Sequence, residues 1–226
     1  MTTNRPGVRE RLADAALRLF DERGYERTTI DDIADRAGVA RATFFRHYRS
    51  KEDVIFPDHD QLLAQVGDRL ASSTQATALA AVTDAVRLVL LHYVDEGEWA
   101  RRRYRLTSSV AALRNREIAS GARYQRLFRE FIAGWIGDRP DAALQAEIMS
   151  AAVVAAHNHV LRRWLRGESA HPAEEVDEAL GRVLALFPAT RAGVPEDGSG
   201  TVVVAYRADQ DLDQVLPALR ELLDRS

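Results

Sequence analysis

The sequence lacks cysteine, contains one lysine and has no long uncharged apolar run, and each absence narrows the possibilities. Without cysteine there are no disulfides and no thiolate metal sites, which suits a reducing compartment such as the cytoplasm. No segment approaches the roughly 18 uncharged apolar residues of a membrane span, and the charged N-terminus MTTNRPGVRERLADAAL is no secretory signal. With 226 residues, 46% of them hydrophobic, the chain can bury a core as one or two domains.

Acidic residues are absent from one short segment, although the whole chain has a net charge of −3. From Arg36 to Lys51, five of sixteen residues are lysine or arginine and none is aspartate or glutamate. A helix in the major groove of DNA has phosphates on both flanks, which repel carboxylates. The segment therefore predicts a DNA-binding surface, with a solvated basic helix face as the alternative. The scarcity of lysine, by contrast, extends along the whole chain and indicates a compositional bias.

Three short helices are predicted around this segment. Apolar residues at helical spacing predict the first helix over Val8–Arg23. Thr29 and Asp32 form a capping box that begins the second helix, and Gly38 ends it. A third helix is predicted over Ala40–Tyr48. Three short helices with a glycine-containing turn between the last two are typical of a helix-turn-helix.

The third helix is predicted to have one buried and one outward face. At 100° per residue, Phe44 faces the first two helices together with Ala40 and Tyr48. The opposite face carries Ala42, Arg46 and Arg49, flanked by Thr43 and Phe45. A residue as small as Ala42 would let this face lie deep in a groove, close to the base edges.

The rest of the chain is predicted to be helical up to about residue 187. The expected helices cover 51–70, 76–95, 99–113, 117–136, 140–166 and 173–187, separated by Gly- and Pro-containing breaks. In the first of them, Pro57 predicts a kink after one turn. Residues 191–200 have the composition of a linker. The β-branched segment TVVVAY at 201–206 then predicts a strand, paired with its symmetry mate or a neighbouring segment, before an amphipathic helix. A disordered tail is the alternative for this region.

The segment TTIDDIADRAGVARATFFRHYRSKEDVI at 28–55 resembles the DNA-binding signature of the tetracycline-repressor-like (TetR) family. The resemblance covers residues 8–55 closely. It implies an all-α fold: a helix-turn-helix domain at 1–52 and a helical effector-binding and dimerisation domain at 53–190, with a possible strand–helix extension at 191–226. It also implies a homodimer that binds a palindromic double-stranded DNA operator and responds to a small molecule.

The resemblance also assigns DNA contacts by position. Thr29 would contact a phosphate at the N-terminus of the second helix. Four residues would contact base edges or the adjacent backbone: Arg41, Ala42, Thr43 and Arg46. Three others would contact phosphates: Phe45, His47 and Lys51. The family usually has tyrosine in place of Phe45 and often serine or threonine in place of Ala40. One phosphate hydrogen bond and one helix cap are therefore expected to be missing.

Polar and aromatic side chains in the second domain are candidates for an effector cavity: Tyr93, Trp99, Tyr124, His157 and Trp164. Packing in the core or an interface is the alternative for each aromatic residue. His157 and His159 project about 200° apart on one helix, so they cannot share a metal ion, and no metal site is expected.

Arg102 and Arg103 belong to the cluster ARRRYR at 100–105 and are the candidates for binding an acidic effector. The alternative is a solvated face or salt bridges within the domain. No cofactor or enzymatic activity is expected, because neither a phosphate-binding glycine loop nor a nucleophile–base pair is evident.

The helices at 140–166 and 173–187 are expected to form the dimer interface, as they do in the TetR family. The second of them carries an apolar stripe of Val176, Leu180, Val183, Leu184 and Phe187.

The predicted function is a cytoplasmic repressor that a small hydrophobic effector releases from DNA. Since some relatives respond to acyl-CoA thioesters, an acyl-CoA or another acidic amphiphile is the expected effector. The alternative is a protein-binding coactivator on the same fold that has lost operator binding.

Overall fold

A computed structural model describes residues 7–187, which contain α-helices and short 3-10 turns and no strand. The α-helices are α1 Val8–Arg23, α2 Ile30–Ala37, α3 Arg41–His47, α4 His59–Ala71, α5 Ala78–Glu96, α6 Glu98–Ser109, α7 Ala111–Ile136, α8 Ala142–Leu165 and α9 Pro172–Ala185. Two 3-10 helices, Glu52–Ile55 and Gln75–Thr77, precede α4 and α5. The predicted linker, strand and helix at 191–226 lie outside the described residues.

The head, which we define as α1–α3 with the 3-10 helix at Glu52–Ile55, has the predicted helix-turn-helix layout. Thr29 caps α2 and forms the capping box with Asp32, and Gly38 ends it in the left-handed conformation at φ 68°. Phe44 is fully buried against α1 and α2, and Tyr48 is 5% exposed. Ala40, predicted to be buried, is exposed because it is the extended residue before α3 and does not follow the helical rotation.

The body, which we define as α4–α9, packs around a separate apolar core. Buried side chains of α5 meet those of α4, α8 and α9. Helix α7 packs along α8, which in turn packs along α9. The core of the body is built from side chains such as Val86, Phe128, Ile132, Met149 and Val153.

Two helix boundaries differ from the prediction. The helix expected over 51–70 is divided by Phe56, Pro57 and Asp58, and α4 begins only at His59. The break expected after residue 113 lies earlier, at Val110, whose backbone is extended and whose side chain packs against the core of the head. No glycine or proline occurs at this break. Tertiary packing sets its position, so the sequence carries no local signal for it.

By length and composition, the segment Gln75–Glu96 could cross a membrane, although no such run was expected. It carries four charged side chains: Asp84, Arg87, Asp95 and Glu96. Asp84 and Arg87 form ion pairs with Arg69 of α4 and Asp177 of α9, and Glu96 forms one with Arg103. Its opposite side packs into the core of the body. The segment is therefore a core helix of the body, and an apolar composition of this kind is common in core helices.

The apolar stripe of α9 was wrongly expected to face a second subunit. Val176, Leu180 and Val183 are at most 8% exposed and lie in the core of their own chain. The large apolar side chains left exposed at this end of the body are instead Leu144 and Ile148 of α8 and Leu186 after α9. Hydrophobic periodicity shows which face of a helix is apolar and does not show which partner covers it.

Candidate nucleic-acid interface and internal cavity

The outward face of α3 is exposed, as the helical rotation predicts. Ala42, Arg46 and His47 of α3 are exposed, as is Arg49 just after its end. Phe45 is 47% exposed, and its ring contacts buried Phe44 edge-on with centroids 5.5 Å apart. One side of the helix therefore anchors α3 in the head while the other presents basic, aromatic and small side chains to the surroundings.

Two arginines of α3 are held in different ways. Arg46 donates a hydrogen bond to the Thr43 hydroxyl at 3.0 Å, which keeps its guanidinium on the outward face. Arg41 forms an ion pair with Asp31 of α2 at 2.6 Å and lies 5.3 Å from the centre of the Phe45 ring. An acid from the neighbouring helix thus reaches a segment that contains none itself.

The N-terminus of α2 already holds a carboxylate. Asp32 accepts a hydrogen bond from the backbone N–H of Thr29 at 2.8 Å and forms an ion pair with Arg23. Arg23 and the two groups of Thr29 hold the pKa of Asp32 well below its usual range, so it is ionised at neutral pH. Thr29 is exposed, but its hydroxyl is engaged in the capping box.

Lys51 is partly buried and is bonded to other residues of the head. Its ammonium donates to the carbonyl oxygens of Tyr25 at 2.9 Å and Thr28 at 3.0 Å, and it lies 3.9 Å from the centre of the Tyr25 ring. These bonds fix the turn between α1 and α2, and the expected phosphate contact stays a prediction. Spacing along the sequence cannot distinguish these two roles.

Replacing Lys51 with methionine is expected to lower the free energy of unfolding by about 1–3 kcal/mol, because two carbonyls lose a charged donor and the ring loses its cation. Urea unfolding measures the change. Arg49→Met is the matched control, since Arg49 is exposed and its side chain forms no hydrogen bond or ion pair within the described residues. Equal stability of the two variants would contradict this role for Lys51.

An internal cavity of about 460 Å³ lies among α4–α8 of the body. This volume is in the range of small-molecule sites. Apolar side chains line much of it: Val86, Val89, Phe128, Val154, Leu161 and Leu165. Three predicted effector residues, Tyr93, Tyr124 and His157, also line the cavity. Sequence reasoning did not single out His59, Arg114 and Arg162, which line it as well.

The other four predicted effector residues do not line this cavity. Trp164 is buried under the guanidinium of Arg101, 4.9 Å from its ring. Trp99 packs against the core of the head. Arg102 forms an ion pair with Asp21 of α1.

Arg103, the last of the four, is 3% exposed and forms an ion pair with Glu96. It also donates to the Ile55 carbonyl oxygen at 3.3 Å. Together, Arg102 and Arg103 therefore connect the body to the head.

Two histidines line the cavity in their neutral form. Burial is the main cause that lowers the pKa of both His59 and His157 to about 4. The Nδ1 of His59 shares a hydrogen bond with the Tyr124 hydroxyl at 3.1 Å, and that of His157 contacts the Asn158 oxygen at 3.3 Å. In both rings Nε2 is buried and has no partner among the described residues. The cavity is therefore polar in places but carries no charge from these rings.

The two lowered pKa values predict that the free energy of unfolding decreases as the pH is lowered. In the unfolded chain these rings take up protons near their ordinary pKa of 6.5, whereas the folded chain resists until about pH 4. The stabilisation is therefore complete above pH 6.5 and is lost progressively towards pH 4, by at most about 3 kcal/mol per ring. Urea unfolding across this window measures it.

His157→Gln should remove part of this pH dependence. His159→Gln, which replaces the same residue type at an exposed position, is the control. An identical pH profile for His157→Gln and the unmodified chain would contradict the assignment.

Comparison with known proteins agrees with this geometry. Residues 12–57 match the model for bacterial regulatory proteins of the tetR family, and residues 76–197 match the MftR C-terminal domain. The mycofactocin biosynthesis transcriptional regulator MftR of Mycobacterium tuberculosis is 30% identical over 190 residues, covering 81% of this chain and 89% of that protein. The transcriptional regulator TtgR of Pseudomonas putida is 25% identical over 170 residues, covering 70% and 80% of the two chains.

A solved structure of a TetR-family regulator from Syntrophomonas wolfei has the same fold, with a TM-score of 0.60 at 18% identity over 79% of this chain and 94% of that one. The chain therefore belongs to the TetR family of bacterial transcriptional regulators, with a C-terminal domain of the MftR type.

Proposed function

We propose that the protein is a cytoplasmic homodimeric repressor that binds a palindromic operator through α3 and is released by an acidic amphiphile bound in the body. The observation that carries this proposal is the outward face of α3, where small Ala42 lies between exposed basic side chains while Phe44 fixes the helix to the head. Such a face can approach base edges closely, and a dimer presents two copies to two half-sites.

Within this face we assign base contacts to Arg46 and Arg41. Arg46 is held outward by Thr43 and forms no ion pair with a carboxylate among residues 7–187, so its guanidinium can bind a guanine edge directly. Arg41 would exchange Asp31 for DNA on binding. Ala42 and Thr43 would lie in the groove. Phe45 and His47 flank them and would lie against the sugar–phosphate backbone.

The dimer interface is proposed on the free face of α8. Leu144 is 64% and Ile148 50% exposed, and small Ala151 and Ala155 continue the same exposed face. Leu186, which follows α9, is 72% exposed. Large apolar side chains exposed together, beside small residues that permit close helix approach, suit a symmetric helix–helix contact between two copies.

The cavity is proposed to bind an acidic amphiphile, such as an acyl-CoA thioester. At its exposed end lie Arg114 and Arg162, neither of which is paired with a carboxylate among residues 7–187. Arg114 donates to the Ser108 carbonyl oxygen, and Glu117 lies at the same end. These two arginines replace Arg102 and Arg103 as the site for the anionic group, while the apolar wall takes the hydrocarbon body.

The effector signal is proposed to pass through the contacts that join body and head. His59, which lines the cavity, is the first residue of α4, and the preceding Asp58 forms an ion pair with Arg9 of α1 at 2.8 Å. Arg9 also lies 5.2 Å from the ring of Tyr48, at the end of α3. A ligand that prefers the non-binding arrangement by about 1–3 kcal/mol is sufficient for regulation.

Calorimetric titration with dodecanoate tests the anionic end of the site. The variant Arg114→Gln/Arg162→Gln is expected to bind dodecanoate at least tenfold more weakly than the unmodified protein, because each lost charge contact contributes about 1 kcal/mol or more. Arg105→Gln/Arg139→Gln is the control, since it removes the same charge from exposed positions that do not line the cavity. Equal affinity for all three proteins would exclude this anion site.

A further inference from the structure

The cavity contains a second set of polar groups, less exposed than Arg114 and Arg162, that the proposed anion site does not use. We call Tyr93 of α5, Tyr124 of α7 and His59 of α4 the inner polar cluster; all three line the cavity. The Tyr124 hydroxyl and the Nδ1 of His59 are hydrogen-bonded to each other at 3.1 Å. The Tyr93 hydroxyl, in contrast, makes no hydrogen bond with any residue that the structure describes.

Tyr93 is held firmly through its ring. The guanidinium of Arg103 lies 5.1 Å from the ring centre, and Arg103 is itself fixed by Glu96 and the Ile55 carbonyl oxygen. His92 contacts the ring edge-on with centroids 6.1 Å apart. Burial raises the pKa of Tyr93 to about 12, so its hydroxyl is a neutral donor at physiological pH.

Two polar atoms of the cluster are unsatisfied. The buried Nε2 of His59 has no partner among residues 7–187. The Tyr93 hydroxyl, which lines the cavity, makes no hydrogen bond with any of these residues. Buried polar groups almost always have a hydrogen-bond partner, so an unsatisfied group beside a cavity calls for a partner from outside the chain. Because Arg103 is already paired with Glu96, a carboxylate would find no unpaired cation here.

We propose that the effector carries a neutral oxygen function, a hydroxyl or carbonyl group, at the end of its hydrocarbon body remote from the anionic group, and that the Tyr93 hydroxyl binds it. This inference rests on the proposed effector cavity. Arg114 and Arg162 define the exposed, cationic end, apolar side chains such as Val89 and Phe128 form the wall, and the inner polar cluster is the neutral end. A site built to hydrogen-bond an oxygen discriminates strongly against a ligand that lacks it.

The position of the cluster also links recognition to regulation. His59 directly follows Asp58, which is paired with Arg9 of the head, and Arg103 connects the Tyr93 ring to Ile55 of the head. A ligand that reaches Tyr93 therefore acts on side chains bonded to the DNA-binding part of the chain. A ligand that fills only the exposed end does not touch them.

Calorimetric titration with paired ligands tests the proposal. The probes are decanoate, dodecanoate and tetradecanoate, each compared with its ω-hydroxy counterpart, on the full-length protein. For the chain length that fits best, the hydroxylated ligand is expected to bind about tenfold more tightly than its parent. In Tyr93→Phe, which keeps the ring and its contact with Arg103, this ratio should fall to about one.

Tyr104→Phe is the matched control. Tyr104 also lines the cavity, but its hydroxyl accepts a hydrogen bond from Arg166 at 3.2 Å, so the preference for the ω-hydroxy ligand should persist. Equal affinity for both ligands of every pair in the unmodified protein, or a preference retained in Tyr93→Phe, would overturn the proposal. An equal weakening of parent and hydroxylated ligand by Tyr93→Phe would place the carboxylate at the cluster and would also overturn it. Failure of every probe to bind would refute the effector cavity itself.

Discussion

Replacing Arg46 with alanine is expected to remove most of the protein's discrimination between its operator and unrelated DNA. Arg46 is exposed on the outward face of α3 and is oriented by Thr43. A bidentate contact between arginine and guanine contributes about 1–3 kcal/mol of discrimination. Because a dimer makes the contact twice, the ratio of specific to non-specific affinity should fall by about 30-fold or more. Fluorescence anisotropy with an operator duplex and a scrambled duplex measures this ratio.

Arg105→Ala is the control for this experiment, because it removes the same charge from an exposed position on α6. It should leave the affinity ratio unchanged and alter total DNA binding only slightly. Should Arg46→Ala keep the unmodified ratio, α3 would not be the element that distinguishes DNA sequences.

Replacing Ile148 with aspartate is expected to dissociate the dimer and thereby to weaken operator binding by at least about 100-fold. Ile148 is 50% exposed in the isolated chain, and in a symmetric interface it is buried twice. Burying two unpaired carboxylates there costs several kcal/mol. Sedimentation velocity measures the oligomeric state, and anisotropy measures the loss of operator affinity.

The chain offers a matched control at Ile118, which is 64% exposed on α7 beside the cavity rather than on the proposed interface. Ile118→Asp should remain dimeric and bind the operator normally. A dimeric Ile148→Asp protein, or a monomeric Ile118→Asp protein, would contradict the placement of the interface on α8.

The head could be predicted from the sequence because local interactions determine most of it. The Thr29–Asp32 capping box and the left-handed Gly38 form within a few residues of chain, and both occur where they were expected. The rotation of α3 likewise follows from its helical period, which buries Phe44 and exposes Arg46. Ala40 was misplaced because it precedes the helix and therefore does not follow that period.

The roles of individual basic side chains could not be predicted in the same way, because their partners are distant in the sequence. Lys51 binds carbonyl oxygens more than twenty residues earlier, and Arg102 pairs with Asp21 of the head. A run of arginines shows that positive charge is concentrated in one segment. It does not show which carboxylate or carbonyl oxygen each guanidinium binds. Arg114 and Arg162 were missed because they lie on different helices, far apart in the sequence, and only the fold brings both to the lining of the cavity.

The measurement that tests the central claim most directly is selection of binding sites from random duplex DNA by the full-length protein, followed by titration of the selected complex with dodecanoate and ω-hydroxydodecanoate. We expect enrichment of an inverted repeat whose half-sites lie about one helical turn apart or a multiple of it. We also expect that ligand addition releases the DNA. A pool that remains without a common sequence would contradict the assignment as an operator-binding regulator and favour a protein-binding coactivator on the same fold.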